Sequence, residues 1–266
     1  MNQSYLYAFF LFLFSLSIHA GTVGSLETTK AFRPLISLQG GYACIEASKN
    51  TQQFDGSDSN LFIYEPSGKS CDAGFYGVFL GGEQFVRNVS EYPVFLQLGL
   101  EYNYFSNIKN NGVHWVGVDA ASFTQYDYQF NLKTQQVLAD IKLFIAKNAY
   151  FHPYGEAGLG IAFNRAGRYS TSTAETGALN FTPTFVGGNS MKLSYMLGLG
   201  IDGDVCQHVR VGLGYRLSYF NTASLGNGSV DLGSSATSST QAPVSFKLVA
   251  AHLYANQFIG HITYIF

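Results

Sequence analysis

Charge is scarce in this chain. Asp, Glu, Lys and Arg make up 12% of its 266 residues, about half the share usual in a soluble domain. The formal balance is −2, so there is no basic excess to meet nucleic acid. Past residue 20 no apolar run of about 18 residues occurs, and a later membrane-crossing helix is thereby excluded. Cysteine appears only as Cys44, Cys71 and Cys206, and no Cys, His or acidic cluster has metal-ligand spacing. Gly198-Leu-Gly200-Ile-Asp-Gly203 matches the letters of a dinucleotide-binding loop. An alternating segment follows it where that motif needs a helix start. No cofactor is expected. Abundance lies elsewhere, in 29 Gly, 18 Tyr and 23 Phe, a mixture that suits small residues at tight strand contacts and aromatic belts.

The apolar segment 5–18, YLYAFFLFLFSLSI, is too short to span a membrane and is followed by His19-Ala20-Gly21. It reads as a signal peptide over 1–20, cut after Ala20. No Cys follows the cut, which argues against a lipoprotein anchor. Residues 21–33 are then a lead-in, and 34–266 the folded part.

Alternation of period two recurs in eight spans, near 34–46, 73–86, 93–105, 131–146, 153–165, 190–202, 208–220 and 246–266. Each meets the roughly 9–11 residues that a tilted transmembrane strand needs. In the third, Val94, Leu96, Leu98, Leu100, Tyr102 and Tyr104 oppose Gln97, Gly99, Glu101 and Asn103. In the last, Phe258, Gly260, Ile262, Tyr264 and Phe266 oppose Gln257, His261 and Thr263. The mid-strand charges fall on the polar faces: Glu83, Glu101, Asp140, Lys142, Glu156, Lys192, Asp202, Arg210 and Arg216. A Lys or Arg on a lipid face would cost about 2–4 kcal/mol near mid-bilayer, so the apolar faces are expected outside and the charges in the lumen. A soluble, ligand-enclosing barrel would reverse the two faces. Short turns near 87–92, 147–152 and 203–207 alternate with long connections near 47–72, 106–130, 166–189 and 221–245, which puts all the long loops at one end.

A closing strand with Tyr264 two residues before terminal Phe266 resembles the terminal signal of bacterial outer-membrane β-barrels. With the strand pattern and loop alternation, the whole mature chain resembles the OmpA/OmpX-type eight-stranded barrels, particularly the opacity-like surface antigens. The resemblance implies an all-β, eight-stranded antiparallel transmembrane barrel in a Gram-negative outer membrane, with both termini in the periplasm. It also implies insertion by the barrel-assembly machinery, a monomer in contact with outer-membrane lipid and lipopolysaccharide, and a non-enzymatic structural or adhesive role. A host surface ligand would be met by the external loops, where Tyr64, His114, Trp115, Phe123, Tyr126 and Tyr128 supply aromatic groups; the outer aromatic girdle is the other place for Tyr126 and Tyr128.

Two questions stay open at this level. The lumen charges form either an interstrand network that plugs the barrel or the constriction of a narrow channel for small ionic or hydrophobic solutes, and the many inward glycines leave free volume. Cys44 and Cys71 flank the first long loop near the tops of paired strands. They form either a disulfide worth about 3 kcal/mol or two reduced thiols, with Cys206 unpaired in a turn. Catalysis is not expected. Lipid-deacylating barrels carry a His-x-Ser pair, which none of the histidines here provides, and His252, nearest the outer leaflet, is the residue to watch.

Overall fold

The computed structural model describes residues 32–55, 61–67, 69–89, 91–117, 124–146, 151–172, 182–231, 241–244 and 246–266. The expected signal peptide and nearly all of the lead-in lie outside these residues. All regular structure in them is strand: β1 (Arg33–Glu46), β2 (Gln52–Asp55), β3 (Leu61–Pro66), β4 (Lys69–Val89), β5 (Tyr92–Gly117), β6 (Thr124–Ile145), β7 (His152–Ser172), β8 (Thr184–Phe185), β9 (Gly188–Cys206), β10 (Val209–Ser224), β11 (Gly228–Asp231), β12 (Gln241–Val244) and β13 (Val249–Ile265).

Eight of them close a ring in the order β1-β4-β5-β6-β7-β9-β10-β13, every neighbouring pair antiparallel. Closure is made by the first and last strands, paired from Leu35↔Ile265 to Glu46↔Tyr254. The fold is an eight-stranded antiparallel transmembrane β-barrel, and the resemblance read from the strand pattern holds. Gly198 to Gly203 lie inside β9, with no helix after them.

The outer surface decides which face meets lipid. Leu213 is 73%, Phe258 68% and Leu199 65% exposed, whereas Arg210 is 1% exposed. A soluble barrel would have these reversed. The exposed apolar belt includes Leu38, Leu98, Leu100, Ile141, Leu143, Leu159, Leu197 and Ile262. At its upper margin Tyr76 packs on Tyr104 (ring centroids 5.2 Å) and Tyr195 on Tyr219 (5.0 Å). At its lower margin Tyr264 packs edge-on to Phe266 at 5.0 Å. Such rings, apolar on one side and hydroxylated at the tip, suit a membrane interface.

Several strands run well past the expected ends. The expected third and fourth spans stopped at 105 and began at 131, but β5 reaches Gly117 and β6 starts at Thr124; likewise β7 continues to Ser172. The reason is visible in β6. Its lower outward residues are Val137, Ala139, Ile141, Leu143 and Ile145, against inward Gln136, Asp140 and Lys142. Above residue 136 the same parity carries the opposite chemistry, with Asp127, Gln129, Lys133 and Gln135 exposed and Tyr126, Tyr128, Phe130 and Leu132 buried. The strand does not slip; its solvent changes from lipid to water. The stretches expected as loops are therefore partly a water-borne continuation of the barrel wall. β3 takes the place of β4 beside β5 there, pairing Leu61↔Gly117 through Pro66↔Gly112, and β12-β11-β8 form a small separate sheet.

Cys44 stands at a register shift between β1 and β4, flanked by Ala43↔Ala73 and Ile45↔Ser70. The Cys71 side chain lies outside the described residues, so the possible bridge has no description in side-chain terms; Cys206 is exposed.

The inversion is testable on one strand. Leu197→Arg in the belt of β9 is expected to cost about 2–4 kcal/mol in urea titrations of bilayer-folded protein, while Asn189→Glu above the belt, across from Arg165, should stay within about 0.5 kcal/mol.

Candidate functional site

The lumen is layered, and each layer follows from which inward residues the register brings level. Nearest the short-turn end, Arg210 lies between two carboxylates, donating from Nη1 to Glu83 (2.6 Å) and from Nε to Asp204 (2.8 Å). Its guanidinium sits 4.5 Å from the Phe144 ring centroid, a stacking that Arg tolerates because it is weakly hydrated. The other Glu83 oxygen takes Arg33, and Gln97 donates to Oε2 at 2.9 Å. His152 Nε2 meets Asp204 at 2.9 Å.

One step in, Lys142 pairs with Asp202 at 2.7 Å and lies 3.7 Å from the Tyr154 ring centroid. His261 Nε2 shares Asp202 at 2.8 Å. Arg216 grips Glu156 with two nitrogens (2.5 and 2.9 Å) and Glu101 with the third (2.8 Å). Forked pairing of this kind is the strongest form of ion pair, and burial makes it costly to break. Asp140 is buried beside it with Oδ1 unpartnered. Glycines make the room: a Cβ on Gly198 would run into Glu156 and Arg216, and one on Gly212 into Asp202 and His261. The free volume expected behind the inward glycines is thus occupied. The cavity left among Gln97, Glu101, Asp140, Lys142, Glu156, Arg216 and His261 is about 20 Å³, room for roughly one water.

Above the ions comes a neutral hydrogen-bonded layer. Gln39 donates to Asn103 (2.8 Å), Gln136 to Ser194 (2.8 Å) and Gln257 to Ser218 (2.7 Å). Asn164 Nδ2 caps the backbone carbonyls of Phe220 and Thr222 at 2.9 and 3.0 Å. Higher still, the inside turns apolar. Phe62, Tyr64, Phe75, Phe105, Ile108, Tyr128, Phe130, Leu132, Phe220, Phe246, Leu248 and Leu253 belong to one buried cluster. Within this cap His114 stacks flat on Tyr64, centroids 4.0 Å apart at 7°.

Among the described residues, Glu83, Glu101, Asp140, Lys142, Glu156, Asp202, Arg210 and Arg216 all lie in the lumen. Lys192 does not. It is exposed, because backbone pairing of β9 with β10 ends at Tyr195↔Tyr219 and the position above is no longer enclosed. Three network members were missed from sequence, Arg33, His152 and Asp204; His261 was placed on the polar face of the last strand but not counted among the lumen charges. Asp204 shares inward parity with Asp202, but 203–207 read as a turn whereas β9 runs to Cys206. Arg33 shares parity with buried Leu35 and Ser37, one residue short of the expected start. Tyr64, His114, Tyr126 and Tyr128, expected as exposed or girdle aromatics, are instead buried in the cap. Phe123 lies outside the described residues. His252 is exposed, has a left-handed backbone (φ 50°), and its Nδ1 meets the Tyr219 hydroxyl at 3.1 Å. No described group of His, Cys, Asp and Glu could hold a metal ion.

No family model and no curated protein matches the sequence. Solved structures do match in fold. Neisserial surface protein A (NspA) is 11% identical over 88% of this chain and 97% of its own, with a TM-score of 0.41. The outer membrane protein OprG of Pseudomonas aeruginosa is 12% identical over 88% and 96%, TM-score 0.45. The outer membrane protease OmpT of Escherichia coli is 9% identical over 91% and 100%, TM-score 0.45. At these identities the likeness does not extend to function.

Two predictions follow from the lumen and cap. Arg216→Met leaves Glu101 and Glu156 buried without their cation and should destabilise the barrel by about 3–5 kcal/mol; adding Glu101→Gln and Glu156→Gln should recover part of the loss in the same urea titration. In the water-borne cap, burial holds the His114 imidazole down to about 3 from 6.5, so it stays neutral where the opened cap would take up a proton. Cap stability is therefore full above about pH 6.5 and declines toward pH 3, by up to about 1.4 kcal/mol per pH unit. His114→Phe should remove that acid dependence of protease cutting in the cap, and equal sensitivity in both proteins would contradict the assignment.

Proposed function

We propose that the protein is a non-enzymatic barrel of a Gram-negative outer membrane, with the short turns in the periplasm, acting as a structural and surface-interaction protein through its water-borne end. The carrying observation is that the lumen is closed twice, by the buried ion network and again by the apolar cap. Export through a leader cut after Ala20, insertion by the barrel-assembly machinery and a monomeric state belong to the same reading. So does contact with a host surface ligand.

The histidines support the absence of catalysis. His152 commits Nε2 to Asp204 and leaves Nδ1 unpartnered. His261 sets Nε2 against Asp202 at 2.8 Å, with Nδ1 also unpartnered. A nucleophile needs a base within hydrogen-bond reach, and among the described residues no hydroxyl or thiol lies within hydrogen-bond reach of either free Nδ1. The interacting surface differs from the loops expected at first. It includes the outward polar faces of β5, β6 and β7, which rigid pairing holds in place.

The competing reading is a narrow channel, which a cavity of about 20 Å³ does not favour. Planar-bilayer recording on heat-modifiable, folded protein is expected to show no steady conductance. A sustained, ion-selective current that responds to Arg216→Met would replace this reading with the channel.

A further inference from the structure

The outward face of β5-β6-β7 changes polarity in a fixed order as it leaves the membrane. On β6 the outward residues run Val137, Gln135, Lys133, Asn131, Gln129, Asp127. Lys133 lies directly across from Arg165 on β7, both exposed and in no ion pair among the described residues. One register step lower, Gln135 faces Phe163, and Val137 faces Ile161. Phe163 and Ile161 belong to the lipid belt. Two cations thus sit side by side just above the hydrocarbon. Like charges directly opposed on a sheet repel, and an anion between them removes the repulsion.

A second observation lies further out on the same three strands. There a groove of about 460 Å³ is lined by Asn111, Asp127, Gln129, Ser170, Thr171 and Ser172, among others. Its chemistry is amide, hydroxyl and one carboxylate, the donors and acceptors that sugar hydroxyls need. Gln129 and Lys133 are four residues apart, about 13 Å along an extended strand. Between them β7 bulges at Arg168, left-handed at φ 55° and exposed, which brings a third cation to the same stretch.

From this order, apolar, then cationic, then hydroxyl-binding, we infer that the outward face of β5-β6-β7 is a binding track for a phosphorylated glycolipid of the outer leaflet, of the lipopolysaccharide type. Lys133 and Arg165 hold a phosphate of its headgroup, and the groove holds sugar units beyond it. The track rests on the outer-membrane placement proposed above and adds to it a stoichiometric site with named contacts.

The test uses the full folded chain in detergent, titrated with four probes. These are purified rough lipopolysaccharide, the same material dephosphorylated, inorganic phosphate, and phosphatidylglycerol vesicles. Intact lipopolysaccharide is expected to bind most tightly and to weaken as ionic strength rises. The double variant Lys133→Gln, Arg165→Gln should lose about tenfold or more in affinity for the intact form and little for the dephosphorylated one. Asn111→Ala with Gln129→Ala should weaken both forms. Unchanged binding by the double variant overturns the site, as does salt-independent binding by the wild type. Equal affinity for phosphatidylglycerol, or displacement by millimolar inorganic phosphate, overturns the glycolipid assignment. Each variant is checked for its heat-dependent gel shift. A retained shift with lost binding isolates the site, whereas a wild-type protein without a shift would mean that the barrel reading itself had failed.

Discussion

Lipid offers no hydrogen bond, and that constraint governs the rest of this structure. A sheet edge facing hydrocarbon would leave a row of amides and carbonyls unpaired, each at a cost of several kcal/mol. The last strand therefore has to pair with the first. β13 pairs along nearly the whole of β1, with Ile36 beside Tyr264 and Gly40 beside Gly260, and the terminal residues complete the wall. Ile265 and Phe266 donate their backbone amides to His208 and Pro34. Phe266 thus belongs to the closure of the wall as well as to the lower belt.

Closing on eight strands fixes the second constraint, a lumen about as wide as the side chains that fill it. Charges placed there cannot stay apart or hydrated. Arg210, Lys142 and Arg216 each span strands distant in sequence: Arg210 reaches Glu83, Lys142 reaches Asp202, and Arg216 reaches Glu101 and Glu156. An ion pair in low dielectric is a weak source of net stability but a strong penalty on misalignment. Shifting one strand by a residue would carry its carboxylates to the lipid face. The network and the apolar belt accordingly select the same register from opposite sides of the wall.

That shared selection is why much of the barrel could be read from the sequence. Leu193, Leu197 and Leu199 against Ser194 and Asp202 state both faces of β9 at once, and eight such spans imply a closed ring. The parts that were not legible have a common physical cause. Alternation identifies two faces but does not say which solvent lies outside. Tyr126, Tyr128, Phe130 and Leu132 keep strict alternation with polar neighbours, yet their apolar face points inward. Read with the lipid rule, such residues look like loop or girdle aromatics. Read with the water rule, they are a core. Lys192 fails for a different reason, since its parity is correct but the neighbouring strand has parted from it. Cross-strand partnership is a property of the register, and it leaves no mark on a single strand.

The same eight strands therefore build two proteins of opposite polarity in series, and the join between them needs its own chemistry. An ion network set directly against a phenyl-rich core would leave carboxylates facing rings, with neither water nor donors to satisfy them. Between the two lie Gln39, Asn103, Gln136, Ser194, Ser218, Gln257 and Asn164, neutral groups that both donate and accept. Below, Asn103 donates to Glu101 at 2.5 Å. Above, Asn164 satisfies the carbonyls of Phe220 and Thr222 where β10 leaves the β9 ladder. An amide can donate to a carboxylate or to a bare backbone carbonyl and also accept from its neighbours, without adding a charge that would itself need a partner. The outward face crosses its own boundary at the same height on β6, where Gln135 and Gln136 separate Lys133 from Val137. Both surfaces of the wall thus change solvent through amides, and the level of that change marks where the membrane ends.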